Sequence, residues 1–181
     1  GIKLCKTDYA FVINPDVKFY KNTIDELITL SSKHNDYSIL APISDDIQYP
    51  NYKIKNKKLQ NNDLEFLSVD SVDGYAMLIN KNKFQDNFFF DENFFLYLEN
   101  DDLCLRTKKK NNKIYISKKA KINHLGGKSH SPMHEREVEF SRNWHWMWSK
   151  FYFNKKHFGY SRAFLTSIPT LTTSIIKFFY Y

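Results

Sequence analysis

The chain has 181 residues, 42% of them hydrophobic and 17% aromatic, which is enough to bury one substantial core. Its formal charge is +7, yet only Arg106, Arg136, Arg142 and Arg162 of the 27 basic residues are arginine, and the lysines sit among asparagines over residues 53–58 and 108–113. That is a lysine- and asparagine-rich composition rather than a built polyanion site, and it argues against a nucleic-acid partner. Cys5 and Cys104 fall in no metal-ligand spacing, and the N-terminus does not read as a signal peptide, so the expected location is the cytosolic side.

Residues 9–13 are short, apolar and rich in strand formers, and Asn14-Pro15-Asp16 stops them, because proline denies a ladder donor. The expectation is a buried central strand with an acidic turn at its carboxyl end. Ile24, Leu27, Ile28 and Leu30 recur at helical spacing behind Asn22 or Thr23, predicting an amphipathic helix over 22–34. Residues 37–41 supply the next strand and give a β-α-β order. Residues 45–63 are polar, with no sustained period, and predict a long surface excursion. The alternation of residues 64–72 predicts a strand that Asp73-Gly74 turns back into a second strand over 75–79.

Residues 90–98 deliver a packed aromatic segment into Glu99-Asn100-Asp101-Asp102, four polar residues that open a helix. Two short strands are expected over 113–117 and 120–124, around Lys118-Lys119. Residues 133–158 carry Trp144, Trp148 and Phe151 at helical spacing, a packing or membrane-facing stripe. The run 163–181 is about long enough to span a bilayer, but Pro169 and its many hydroxyls favour an interfacial or buried helix. The order of elements predicts an α/β sheet with helices on its faces.

Three places could carry chemistry. Asp16 lies just past a strand end, where open α/β sheets bind ligands, although Asn-Pro-Asp is also an ordinary turn sequence. In the second, Asn100 could cap the helix, Asp101 and Asp102 could complement its dipole, and Asp102 could pair with Arg106. Capping does not need all four polar residues, however, and Phe94, Phe95 and Tyr97 would wall the segment into a low-dielectric pocket that raises a carboxylate toward a useful general base. The third is His124, at a strand end before Gly126-Gly127, with His130 and His134 close by in sequence.

Asn14-Pro15-Asp16, then Asp91-Glu92 through Phe94-Phe95, Tyr97, Glu99-Asn100 and Asp102-Leu103-Cys104-Leu105-Arg106, then His124 with Gly126-Gly127, occur in an order that resembles the inverting family-2 glycosyltransferases of the rhamnosyltransferase-like type that build bacterial surface polysaccharide. The resemblance runs from about residue 5 to residue 158. It implies the Rossmann-like GT-A fold, here its C-terminal catalytic half over 1–132, followed by a C-terminal helical region over 133–181 with peripheral membrane contact. Gly1 rather than Met opens the chain, and the resemblance implies a fragment, inactive on its own, whose nucleobase-holding strands would precede it.

It further implies a nucleotide-sugar donor, a saccharide or lipid-linked acceptor at the inner membrane face, and a divalent cation, Mg2+ or Mn2+. Asp16 stands at the end of the family's metal-binding D-x-D, with Asn14 in its first position, and His124 matches the late metal-binding histidine. Asp73-Gly74, Asp101 and Arg142 match positions that lie over donor and acceptor. Asn100 occupies the second position of the family's Glu-Asp pair, and an amide cannot accept a proton at neutral pH. Glu99 or Asp102 must then be the base, Glu99 being favoured, or the chain is a catalytically degenerate, binding-only relative.

Overall fold

The computed structural model describes residues 1–55, 64–125 and 135–180 and is a mixed α/β structure. It forms two compact units, Gly1–Phe90 with Leu103–Ser129, and Asp91–Asp102 with His130–Tyr181. Gly126-Gly127, His130, Met133 and His134 lie outside the described residues, as do residues 56–63 of the polar excursion.

The first unit is built on a six-stranded mixed sheet. Its order is β1 (Tyr9–Ile13), β7 (Ala76–Asn80), β3 (Tyr37–Ser44), β8 (Lys113–His124), β2 (Val17–Phe19), with β5 (Phe66–Ser68) also on β8. β1 and β3 each run antiparallel to β7 and therefore parallel to one another, while β3 and β8 pair in parallel. The β-α-β order thus folds as a crossover with β7 inserted between its two strands. α1 (Thr23–Lys33) covers one face, where Leu27 and Leu30 pack with Tyr37, Leu40, Phe66 and Tyr115. The other face buries Ile39, Ala41, Met77, Ile79, Ile114 and Ile116 against Leu103 and Cys104 of α2 (Glu99–Lys109). β3 is buried on both faces, as a strand covered by helix on either side must be.

Several expectations are corrected. β1 lies at the edge of the sheet, and only Ala10 of it is buried, because β7, not β1, takes the place beside β3. Residues 64–72 and 75–79 form no hairpin: β5 joins β8, and β6 (Ser71–Val72) pairs with β4 (Tyr52–Lys53) in a separate two-stranded sheet. The two strands around Lys118-Lys119 are one twelve-residue strand, since β3 slips register from Pro42↔Ser117 to Ile43↔Lys121 and the bulge absorbs residues 118–120. Ile24 and Ile28 of the α1 stripe are exposed; of the four apolar residues the helix buries Leu27 and Leu30, together with Thr23 at its start.

Asn51, inside the supposed surface excursion, is fully buried. Its amide donates to the Pro42 carbonyl at 2.8 Å and its Oδ1 accepts from the Ser44 N–H at 2.9 Å, satisfying β3 at the register slip. Asn51→Leu strands both backbone groups in the core. A loss of about 3 kcal/mol is expected in denaturant unfolding, and an unchanged midpoint would contradict the structural role given to this amide.

The second unit holds α3 (Glu135–Phe158) and α4 (Tyr160–Tyr180), with residues 91–102 laid on α3. The helices are joined at Gly159, whose φ of +88° is the left-handed conformation that ends a helix without a Cβ penalty. α4 is helical through Pro169, and its large apolar side chains from Phe164 to Ile176 are exposed rather than buried. Among the described residues no helix is long and apolar enough to cross a membrane.

Candidate functional site

At one end of the sheet the carboxyl ends of the parallel strands β1, β3 and β8 meet the start of β7, the place where open α/β sheets carry ligands. The Asn14-Pro15-Asp16 turn closes with the Val17 N–H donating to the Asn14 carbonyl at 3.3 Å, while the Asn14 N–H donates to the Tyr75 carbonyl at 2.9 Å. β2 then pairs with β8 so that Val17 stands opposite His124, and the Leu125 N–H donates to the Asp16 carbonyl. Register alone therefore sets Asp16 beside His124, with Oδ2 3.3 Å from Nε2. Tyr75 stacks on the imidazole, with centroids 4.0 Å apart and planes 12° from parallel, which fixes the ring.

The same end carries further acids. Asp45 accepts from the Tyr20 hydroxyl at 2.7 Å and from the Asn123 amide at 3.0 and 3.1 Å; these donors, Tyr20 first, hold its carboxyl below the usual range. Burial pushes the Tyr75 hydroxyl up to about 12, against the pull of Ser44, and the charges of Asp73, Asp46 and Asp45 add to the rise. Tyr75 thus stays a neutral phenol in an electronegative corner. The structure brings Asn14, Asp16, Asp73, Gly74 and His124 together here, and adds Tyr75, Asp45 and Asn123. Among the described residues no group of three or more His, Cys, Asp and Glu side chains is gathered as for a metal ion.

The other candidate acids, Glu99, Asp101 and Asp102, lie in the second unit. α2 starts at Glu99, so Asn100 is inside the helix and is not its cap. The chain enters through Tyr97 and Leu98, whose φ values of 70° and 64° are both left-handed. Two consecutive branched or aromatic residues in that region cost about 1–2 kcal/mol each, and such strain collects at functional sites. It aims Glu99 inward. Its Oε2 is buried with no hydrogen-bond partner, and burial, with a smaller push from Asp101, raises its pKa. Phe94 is buried as expected, but Phe95 is 79% exposed and rests against His145 instead of walling the carboxylate.

Asp102 is fully buried, with Lys156 Nζ at 2.7 Å and His157 Nε2 at 2.8 Å. Lys156 also reaches Asp91 at 2.7 Å, and Tyr152 donates to Asp91 at 2.9 Å. Burial alone would push Asp91 up, but the Lys156 ammonium, the Asn93 N–H groups and the Tyr152 hydroxyl hold it well below the ordinary carboxylate range. Ser149 donates to the Leu96 carbonyl and Trp148 to that of Asn93. Arg106 donates to the Phe88 and Phe89 carbonyls. Arg142 is half-buried on α3.

The residues to which sequence reasoning gave no role are therefore Tyr75, Asp45 and Asn123 at the sheet end, and Asp91, Tyr152, Lys156 and His157 in the second unit. The signal of the latter group was the polar series Ser149, Tyr152 and Lys156 at helical spacing within an aromatic helix. No protein-family model matches the chain, and no curated protein matches it.

Proposed function

We propose that the chain carries catalytic residues of an inverting, metal-dependent GT-A glycosyltransferase that moves a sugar from a nucleotide-diphosphate donor to a saccharide or lipid-linked acceptor at the cytosolic membrane face. The observation that carries this reading is Glu99: a half-buried side chain whose buried Oε2 has no hydrogen-bond partner and whose pKa is raised, delivered by a strained backbone. That is the chemistry of a general base, which must take the proton of an acceptor hydroxyl near neutral pH. Asp102 is tied to Lys156 and His157 and serves to hold the segment. Asn100 has no lone pair basic enough for the task and is left to bind.

The Asp16–His124 pair fits a divalent cation, because a carboxylate oxygen and an imidazole nitrogen 3.3 Å apart can serve one ion together. Asp16 and His124 would hold it, and when bound it would neutralise the charge of a departing diphosphate. Tyr75 keeps the imidazole face in place, and Asn14, Asp73 and Gly74 line the same end of the sheet.

Titration of the chain with Mn2+, followed by paramagnetic resonance of the free ion, tests this pair. Asp16→Asn and His124→Ala should each weaken binding on the order of 10- to 100-fold. Equal affinity in wild type and both variants removes the metal assignment.

A further inference from the structure

α4 is turned inside out for a helix in water. Ala163, Thr166, Ser167, Thr170 and Ser174, which recur at helical spacing, are its buried or half-buried side chains. The packing is polar as well as small, since Lys150 of α3 donates to the Thr170 hydroxyl at 2.7 Å. Phe164, Leu165, Ile168, Leu171, Ile175 and Ile176 form the opposite arc, and all are exposed, Leu165 by 71%. The hydrophobic effect in water favours the reverse arrangement. Small residues inward and large apolar residues outward are the pattern of helices whose outer solvent is itself apolar.

The outward stripe continues into a groove of about 270 Å³ between the helices, floored by Trp144, Trp148 and Phe151. Charge selects the occupant. Beyond Glu139 the sequence contains no Asp or Glu, while Arg142, Lys150, Lys155, Arg162 and Lys177 are spread along it. At the elbow the Arg162 guanidinium lies 4.1 Å from the Phe158 ring centroid and Lys155 lies 4.8 Å from that of Tyr160, aromatic–cation pairs suited to a headgroup layer.

We infer that the outer face of the α3–α4 hairpin docks on an anionic phospholipid bilayer, with α4 lying in the interfacial plane and its stripe entering the acyl boundary. Apolar burial supplies attachment, and the basic residues beyond Glu139, which outnumber Glu135, Glu137 and Glu139 at the start of α3, select anionic lipid. The inference stands apart from the glycosyltransferase reading, since docking needs no turnover.

The test is cosedimentation of the chain with vesicles of phosphatidylcholine alone and of phosphatidylcholine mixed with phosphatidylglycerol. Tryptophan emission is followed alongside, because all three tryptophans lie on α3. The expected result is partition onto the mixed vesicles with a blue shift. A Leu165→Asp, Ile168→Asp double variant should bind roughly ten-fold or more weakly. Both sites are exposed, so its helix content should match wild type by circular dichroism. Three results overturn the inference: no partition of the wild type, equal partition of the double variant, or a vesicle-free dimer that the double substitution dissolves, which would give the stripe to a second copy of the chain.

Discussion

Glu99→Gln is expected to lower turnover roughly 100- to 10,000-fold, the range for loss of a positioned general base, with little change in donor KM. The cause is the environment the fold builds around this carboxylate. Its Oε2 is buried without a partner, and burial raises its pKa, Asp101 adding to the effect. A base must be deprotonated to act, so kcat/KM should rise with pH through a pKa above that of an ordinary glutamate, and this limb should vanish from the residual activity of the variant. The stability consequence has the opposite sign. A carboxyl whose folded pKa is raised favours the folded state when protonated, and that advantage is lost as pH rises through the folded pKa. Relative to Glu99→Gln, the wild type should therefore lose stability between acidic and neutral pH. Superimposable pH profiles for the two proteins would remove Glu99 from the reaction.

Lys156→Met is expected to destabilise the helical unit by about 3–5 kcal/mol, the cost of breaking a buried ion pair from one side. The ammonium lies 2.7 Å from both Asp91 and Asp102, and removing it leaves two carboxylates in the interior. The pH dependence can be signed. Asp91 is held well below its usual range, so its contribution is present above the unfolded value of about 4 and is lost as pH falls from there through the much lower folded value. Without Lys156 the Asp91 carboxylate loses the ammonium that holds its pKa down. The stability gap between wild type and variant should thus narrow as pH drops below about 4. Tryptophan fluorescence during denaturant unfolding reads α3 alone, and an unchanged midpoint would show that the network does not hold residues 91–102 in place.

The legible parts of the fold were those decided locally. The Asn14-Pro15-Asp16 turn, the α1 helix and the onset of α2 at Glu99 follow from proline, helical spacing and a block of polar residues. What was not legible depended on partners distant in sequence. The single strand β8 looks like two because Lys118-Lys119 interrupts its apolar pattern, and only the slip of β3 after Pro42 shows that the interruption is a bulge. The placement of β1 at the edge depends on β7 reaching the sheet between β1 and β3.

In the candidate site, Asp16, His124 and Glu99 stood out as residue types at element ends. Tyr97 and Leu98 gave no warning of left-handed backbone, since neither is the Gly or Asn that usually marks it. Lys156 and His157 looked like an ordinary basic helix end, and their partners Asp91 and Asp102 lie more than fifty residues away in sequence.

The most direct measurement is nucleoside-diphosphate release from a panel of nucleotide sugars with Mn2+ or Mg2+, using the chain in its native open reading frame beside Asp16→Asn and Glu99→Gln. The account predicts metal-dependent release from at least one donor, lost on chelation and lost in both variants. Binding of metal and nucleotide with no turnover of any donor, or turnover that survives both substitutions, would contradict it.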